Sequence, residues 1–467
     1  MTREYGPATW FLTISPSEWL WDDLFEHLRE VNDIPADVKV NPMELIVNDP
    51  ISTSRFMNIK FKGMLDFITS SAEPLGKVEH YFWRLEYQTR GAPHFHLLLW
   101  VKDAPVIGKS SRDEIISFIM KYVTCRMPDK NVSPELYRRV NAHQKHIHNS
   151  YCLRSKKTKT GFSRRCKFGH PRPLTQTFQL RDVAVSIAGR KKLKSRSRLY
   201  DLPHGKAEAN INDYNPAILC AWQGNMDIQF IGEQSTVLTA YVTKYVSKPE
   251  KSNFQDPFDI INSSKSLVSC LWNWAMRLLS HRECGALEAA DSILGHSLWG
   301  TDPKTTIKWF DVNIIRKRKL KSRKDIESLD PESTDLFYPP VIDTYYPNRP
   351  AALESMNLFD FARWYDVTKI KPKTISEVYE IGPSTFLKKC SRACLINHYM
   401  YNVKTEPERY YHTLLLLFKA WRDVADLRNN QDTYAEAFSS MQIELADALR
   451  YHDKIEEIQQ AIRMRSH

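Results

Sequence analysis

The sequence predicts an α+β fold, in which a buried strand and an antiparallel hairpin alternate with amphipathic helices and a mostly helical C-terminal region follows. Three observations carry this. Residues 80–88 and 94–101 are rich in strand formers and flank a turn at Thr89-Arg90-Gly91-Ala92-Pro93, the pattern of a hairpin with a five-residue loop. Residues 56–68, 112–125 and 134–140 place apolar side chains at helical spacing. The last third of the chain ends in a long amphipathic segment, 434–464.

Taken in order, Trp10-Phe11-Leu12-Thr13-Ile14-Ser15 reads as a buried strand, and Pro16-Ser17-Glu18 opens a helix through Trp19, Leu20, Leu24 and Leu28. The hairpin and the helices 112–125 and 134–140 come next, and then a basic segment whose Pro171-Arg172-Pro173 and Ser/Lys/Arg content predict irregular backbone with short strands. Residues 225–231 read as a strand. Residues 235–247 have helical spacing and stop before Pro249. Residues 267–279 and 283–294 read as helices, and no internal repeat is present.

Composition narrows the function classes. A chain of 467 residues with 42% apolar and 12% aromatic residues has material for two to four cored domains, so a disordered tail or a small stapled scaffold is excluded. Net charge is 66 − 55 = +11. Residues 145–200 hold 16 Lys/Arg against one acid, Asp182, a local +15, so the rest of the chain sums to about −4. Such a face suits a polyphosphate, because each neutralised phosphate releases counterions; an acidic membrane surface is the competing explanation. The opening Met-Thr-Arg-Glu-Tyr-Gly has no secretory apolar region, and the strongest apolar run, 414–418, is too short to span a bilayer. Eight scattered cysteines are expected to be reduced thiols of cytosol or nucleus.

Two motifs carry chemistry. His94 and His96 are two apart on a strand and share a face, as do Glu86 and Gln88 on its partner. Two imidazoles and a carboxylate or amide oxygen, with open positions, suit Mg²⁺ or Mn²⁺ bridging a phosphate. The bland alternative is a His-Phe-His strand with an exposed edge. In Tyr241-Val-Thr-Lys244-Tyr245-Val-Ser-Lys248, positions 241, 245 and 248 share a helical face, and Lys244 flanks both phenols. A phenol can take a phosphoryl group from DNA when a metal polarises the phosphate and a cation favours phenolate. An aromatic stripe packed in a core is the ordinary reading of such a pair.

Together, Glu86-Tyr-Gln88-Thr-Arg90-Gly91-Ala-Pro93-His94-Phe-His96-Leu and the two tyrosines about 145 residues later resemble the replication-initiator nuclease of Helitron rolling-circle transposases, the two-tyrosine branch of the HUH endonucleases. Gly6-Pro7-Ala8-Thr9-Trp10-Phe11-Leu12-Thr13, Trp19 to Trp21, Asn215-Pro216, Arg282-Glu283-Cys284-Gly-Ala-Leu287-Glu288-Ala289 and Arg349-Pro350-Ala-Ala-Leu353-Glu354 extend the resemblance over most of residues 5–430. It implies an HUH fold, a central antiparallel sheet flanked by helices. It also implies strand transfer on single-stranded DNA through a 5′-phosphotyrosine, with His94 and His96 as metal ligands and Tyr241 and Tyr245 as nucleophiles. Gln88 is slightly favoured as third ligand, being nearer the loop, with Glu86 as the alternative. Residues 1–250 are then the nuclease domain, with an insertion at about 140–200, and 251–467 a mostly helical linker preceding the position of a helicase.

The departure from the family is the helicase. No Gly-x₄-Gly-Lys-Ser/Thr loop is present, since Gly108-Lys109-Ser110 has Asp103 where the first glycine belongs. The expectation is a truncated copy, a separately encoded nuclease or an excised piece, with a helicase acting in trans.

A third cluster is His146-Ile-His148-Asn-Ser-Tyr-Cys152 followed by Cys166-Lys-Phe-Gly-His170-Pro. Similar spacing occurs in the Helitron family, and two thiolates with two of three imidazoles would make a structural Zn²⁺ site; unliganded residues on a DNA-binding loop are the alternative. Cys390, Cys394 and His398 read as core packing on one helical face. Arg190, Lys191, Lys192, Lys194, Arg196 and Arg198, beside Tyr200, are candidate DNA contacts of the kind found in single-strand grooves. Seven Lys/Arg within residues 316–324 suit a nuclear localisation signal or a solvated linker. The expected setting is the nucleus, with DNA and no membrane as partner. Against the strand transferase stand a catalytically inactive or domesticated DNA-binding protein and a metal-dependent hydrolase without covalent catalysis.

Overall fold

Strand β1 (Trp10–Ser15) forms where the predicted run lies and takes a central place in a five-stranded sheet. The computed structural model describes residues 1–87, 91, 93–150, 152–158, 161–180, 200–232, 284–314, 321, 326–330, 333–334, 336–337, 341–369, 377–382, 384–428, 430–446 and 449. They divide into two compact units, Thr2–Asp302 and Pro303–Glu457.

In the first unit a short 3₁₀ turn leaves Trp19 and Leu20 exposed, and the helix proper, α1 (Asp22–Val31), buries Leu24 and Leu28. The single helix expected from residue 18 is thus two pieces, with Trp21 between them in extended backbone. Next come α2 (Pro42–Asn48), α3 (Pro50–Thr69), the hairpin β2 (Val78–Tyr87) and β3 (Pro93–Val101), and α4 (Arg112–Tyr122). Helix α5 (Pro134–Arg139) precedes a two-stranded ribbon, β4 (Leu153–Thr158) and β5 (Gly161–Cys166), and a shorter one, β6 (Gln179–Leu180) and β7 (Tyr200–Asp201). The unit closes with α6 (Pro216–Trp222), β8 (Asn225–Phe230), α7 (Ala286–Leu294) and β9 (Trp299–Thr301). The sheet order is β8-β1-β3-β2-β9, and every pair is antiparallel.

Strand alternation divides this sheet into two unlike faces. Trp10, Leu12, Ile14, Leu85, Phe95, Leu97, Leu99, Met226, Ile228 and Phe230 point to one side. There they join Leu24 and Leu28 of α1, Met57, Phe61 and Ile68 of α3, Ile115 and Ile119 of α4 and Leu219 and Trp222 of α6 in a single core. Phe95 stacks on Phe61 with ring centroids 3.8 Å apart, and Trp222 meets it edge-on. Helix α6 is held by Asn215, whose side chain accepts from the Ile218 amide and donates to Pro74 O and Tyr122 O. The other sheet face carries the polar row described below.

The first compact unit runs to Asp302, while the boundary expected near residue 250 lies outside the described residues. Strand β9 pairs with β2 at the sheet edge, and Asp291 of α7 is bonded to Ser54 of α3, so both elements belong with the sheet. The second unit carries the expected helical content, with helices over 358–364, 407–418 and 434–446, and adds short strands between them. Strands β10 (Ile307–Phe310), β11 (Tyr365–Thr368), β12 (Val378–Gly382), β13 (Thr385–Lys389) and β14 (Leu395–His398) form a parallel β10-β14 pair and a β11-β13-β12 sheet around helices α8 (Leu358–Trp364) and α9 (Pro407–Phe418). Cys390, Cys394 and His398 therefore do not share a helix face, because the last belongs to β14. Four- and five-residue strands carry too little alternation to be told from helical turns. The apolar run 414–418 ends α9 and is buried all round, as a helix crossing a core must be. No helix among the described residues is long and apolar enough to cross a membrane.

Candidate functional site

The second sheet face gathers polar side chains because register sets them in one row. Asp227 of β8 is opposite Thr13 of β1, Thr13 opposite His96 of β3, and His96 opposite Arg84 of β2. One step along, Glu86 of β2 is opposite His94. Both imidazoles thus lie on the face away from the core, with Phe11 stacked beside His96 at 5.8 Å.

The imidazole of His96 is held at both nitrogens. Nδ1 lies 2.9 Å from Thr13 Oγ1, and Nε2 lies 3.2 Å from Glu86 Oε2. His94 differs, for both ring nitrogens are buried without a hydrogen-bond partner among the described residues. Burial first, and then the neighbouring His96, pushes its pKa down to about 4 against an opposing pull from Glu86. The ring is therefore neutral at pH 7 and retains a lone pair. A buried polar group with nothing to bind is costly, and a neutral imidazole that has no partner among the described residues, beside a second imidazole and a carboxylate, belongs to a donor set that fits a divalent cation. His94, His96 and Glu86 are the residues that would hold it.

Several residues without a sequence signal of their own position this face. The Tyr87 hydroxyl, next along the strand from Glu86, donates to Asp291 Oδ2 of α7. Asp291 Oδ1 in turn accepts from Ser54 and lies 2.7 Å from His296 Nδ1. Burial first, and then the Asp291 carboxylate, drives the Tyr87 phenol far above its ordinary value, so it stays a donor. At the hairpin tip Gly91 has φ +76° and lies against Gly285, where an added Cβ would stand 2.9 Å from the Gly91 Cα. Gly285 falls inside the Cys284-Gly-Ala-Leu287-Glu288 motif, which was the available signal. Tyr87 and Asp291 gave none, because their contact spans 204 residues.

Of the other expected residues, His146, His148, Cys152 and Cys166 come together, each offering a ligand atom within 4.8 Å of the others. His170 stacks on His146 with ring centroids 4.7 Å apart, but turns its nitrogens to Ala209 O and Asn212 Oδ1. Gln88, Tyr241, Lys244, Tyr245 and Lys248 lie outside the described residues, as do Arg190, Lys191, Lys192, Lys194, Arg196 and Arg198.

Residues 1–99 match the protein family described as Helitron helicase-like domain at N-terminus, and residues 52–158 match a family described as replication-associated protein. Comparison with curated proteins gives no match. The two family matches overlap on the hairpin that carries Glu86, His94 and His96. They support a Helitron-derived rolling-circle replication-initiator region, with a role in rolling-circle transposition.

Proposed function

We propose that this initiator region is a metal-dependent nickase and strand transferase of single-stranded DNA. The observation that carries the reading is the pair of imidazoles on the sheet face away from the core, one of which, His94, has both ring nitrogens buried with no partner among the described residues. His94, His96 and either Glu86 or Gln88 would hold the ion. A bound Mg²⁺ or Mn²⁺ would polarise the scissile phosphate.

The covalent step belongs to Tyr241 or Tyr245. The phenolate oxygen attacks phosphorus and forms an O–P bond, the bond from phosphorus to the 3′ oxygen breaks, and that oxygen leaves as a 3′-OH after taking a proton. The 5′ end remains esterified to the tyrosine. A phenol of ordinary pKa, about 10, is mostly protonated at neutral pH, so Lys244 or Lys248 supplies the positive charge that favours phenolate. Two tyrosines four residues apart in the sequence would allow a second cleavage while the first end is still held. The basic segment, including Arg190 to Arg198, provides backbone affinity.

The test uses the full chain with a single-stranded oligonucleotide labelled on either side of the nick and Mn²⁺ or Mg²⁺ added. A denaturing gel should show protein covalently attached to the 5′ fragment. His94→Ala should lower adduct formation at least about a hundredfold while leaving binding largely intact, and Tyr241→Phe with Tyr245→Phe should abolish it. Cleavage that leaves a free 5′-phosphate and no adduct would replace this reading with a hydrolase. Binding without cleavage would replace it with a DNA-binding protein whose chemistry is lost.

A further inference from the structure

We propose that His146, His148, Cys152 and Cys166 form a closed tetrahedral zinc site at the base of the β4–β5 ribbon, separate from the His94/His96 face. The fold brings the two thiols together by register. Leu153 is opposite Cys166 at the open end of the ribbon, so Cys152, one residue earlier, stands beside it, and the Lys167 amide donates to Cys152 O at 2.7 Å. The imidazoles arrive from the chain just before β4, where the His146 amide donates to Asn210 O at 2.7 Å and anchors that segment to the body of the unit.

The separations fit the ion. Tetrahedral Zn–S bonds of about 2.3 Å and Zn–N bonds of about 2.0 Å place neighbouring ligand atoms about 3.3–3.8 Å apart. Cys166 Sγ lies 3.4 Å from His146 Nε2, and Cys152 Sγ lies 3.6 Å from His148 Nδ1. All four ligand atoms fall within 4.8 Å of one another. Each sulfur also accepts a backbone N–H, from Asn149 at 3.2 Å and from Phe168 at 3.4 Å, the kind of outer contact that steadies metal-bound thiolates.

His170 is excluded as a ligand, because its two nitrogens face Ala209 O and Asn212 Oδ1. It serves instead as the flat wall against which the His146 ring rests. There is also a reason for the site to exist. A two-stranded ribbon is at best marginally stable alone in water, and an ion bound at its base would supply folding energy that a hydrophobic core does not.

A second thiol group, Cys390 and Cys394 with Asp366, also lies within 4.8 Å but offers three ligands. The Cys390 thiol donates to Asp366 at 3.2 Å, and Lys308 already neutralises that carboxylate at 2.6 Å. It serves as the internal control.

The experiment is elemental analysis of the tag-free full chain, purified under reducing conditions without added metal. About one zinc per chain is expected. Zinc content should fall at least about tenfold in Cys152→Ser and in Cys166→Ser, and stay unchanged in His170→Gln and in the Cys390→Ser/Cys394→Ser double variant. Should the first two variants fail to fold, cobalt titration of the wild-type apoprotein decides, by the sulfur-to-cobalt charge-transfer band and the intense visible bands of a tetrahedral site. The proposal is overturned by metal-free wild type that binds no cobalt, by zinc that follows Cys390 and Cys394, or by a Cys152–Cys166 disulfide in the reduced preparation. None of these readouts depends on DNA cleavage, so zinc can be absent while strand transfer stands, and the reverse.

Discussion

At the scale of single residues, the imidazole pair was legible in the sequence because strand alternation is a rule of period two. The partner that fixes its orientation was not. Thr13 lies 83 residues from His96 and meets it only through the β1–β3 register, which no local pattern encodes. A hydroxyl on Nδ1 holds the ring so that Nε2 faces the Glu86 carboxylate, the arrangement that sets tautomer and direction for a metal-binding histidine. Thr13→Val keeps the shape and removes the hydrogen bond. It should cost about 1 kcal/mol of stability and lower cleavage about tenfold or more, with a raised Mn²⁺ requirement. A variant with unchanged metal dependence would deny Thr13 this role. A second histidine gives a pH signature away from the site. Burial first, and then Arg139 and Arg138, pushes His143 down to about 4. The native state thus binds fewer protons than the unfolded chain, whose histidine titrates near 6.5. Stability from this group is complete above about pH 6.5 and is lost as pH falls towards 4. The ring is partly solvated, so the effect is reduced to about 1 kcal/mol. Urea denaturation from pH 7 to about 4.5 should show a flatter pH dependence in His143→Gln, and parallel curves would refute it.

Among elements, the sheet strands and the longer helices follow their sequence signals closely. β1 has the predicted bounds, β2 and β3 make the predicted hairpin, and α4 begins at a capping box of Ser111 and Glu114. The ribbon β4–β5 was legible only as basic, irregular backbone with short strands, since its strands carry basic residues rather than an apolar alternation that would fix their pairing. Its charge arrangement has a consequence. Arg154 is directly opposite Arg165, and both are exposed, with Arg164 next to them and no ion pair to any of the three among the described residues. Like charges opposite each other destabilise a strand pair, a repulsion that a bound polyanion would relieve. Replacing Arg154 and Arg165 by Ala should weaken single-stranded DNA binding and reduce the magnitude of the slope of log K against log salt by about 1 to 1.5, near 0.7 for each phosphate that is no longer neutralised. Zinc content should not change. An unaltered salt slope would place the DNA elsewhere.

At the scale of the whole molecule, the two units have separate hydrophobic cores, and the second is organised by a residue that the sequence marked only as part of a motif. Arg349, 3% exposed, donates to Leu353 O, Tyr346 O, Trp421 O and Glu354 O, and its guanidinium lies 4.4 Å from the Tyr346 ring centroid. It therefore ties the 346–354 turn to the segment after α9. Arg422 repeats the link from outside, donating to Pro347 O, Arg349 O and the Glu354 carboxylate. The Arg-Pro-Ala-Ala-Leu-Glu pattern is thus explained as a turn closed on its own first side chain, which no periodicity argument could have anticipated. A methionine at 349 matches the length of the stem but takes the guanidinium away from four carbonyls, of which Tyr346 O and Leu353 O keep backbone donors. The destabilisation should be about 3–5 kcal/mol, the range for breaking a buried charged group's contacts. It should be felt in the core of which Leu414 to Phe418 are part. Hydrogen exchange of the full chain measures this locally. In Arg349→Met the amides of α9 should lose protection by about a hundredfold or more, while those of β1 and β3, and the zinc content, stay at wild-type values. Equal loss in both sets would mean that the two cores open as one cooperative body. Unchanged α9 protection would mean that the guanidinium does not hold the second unit together.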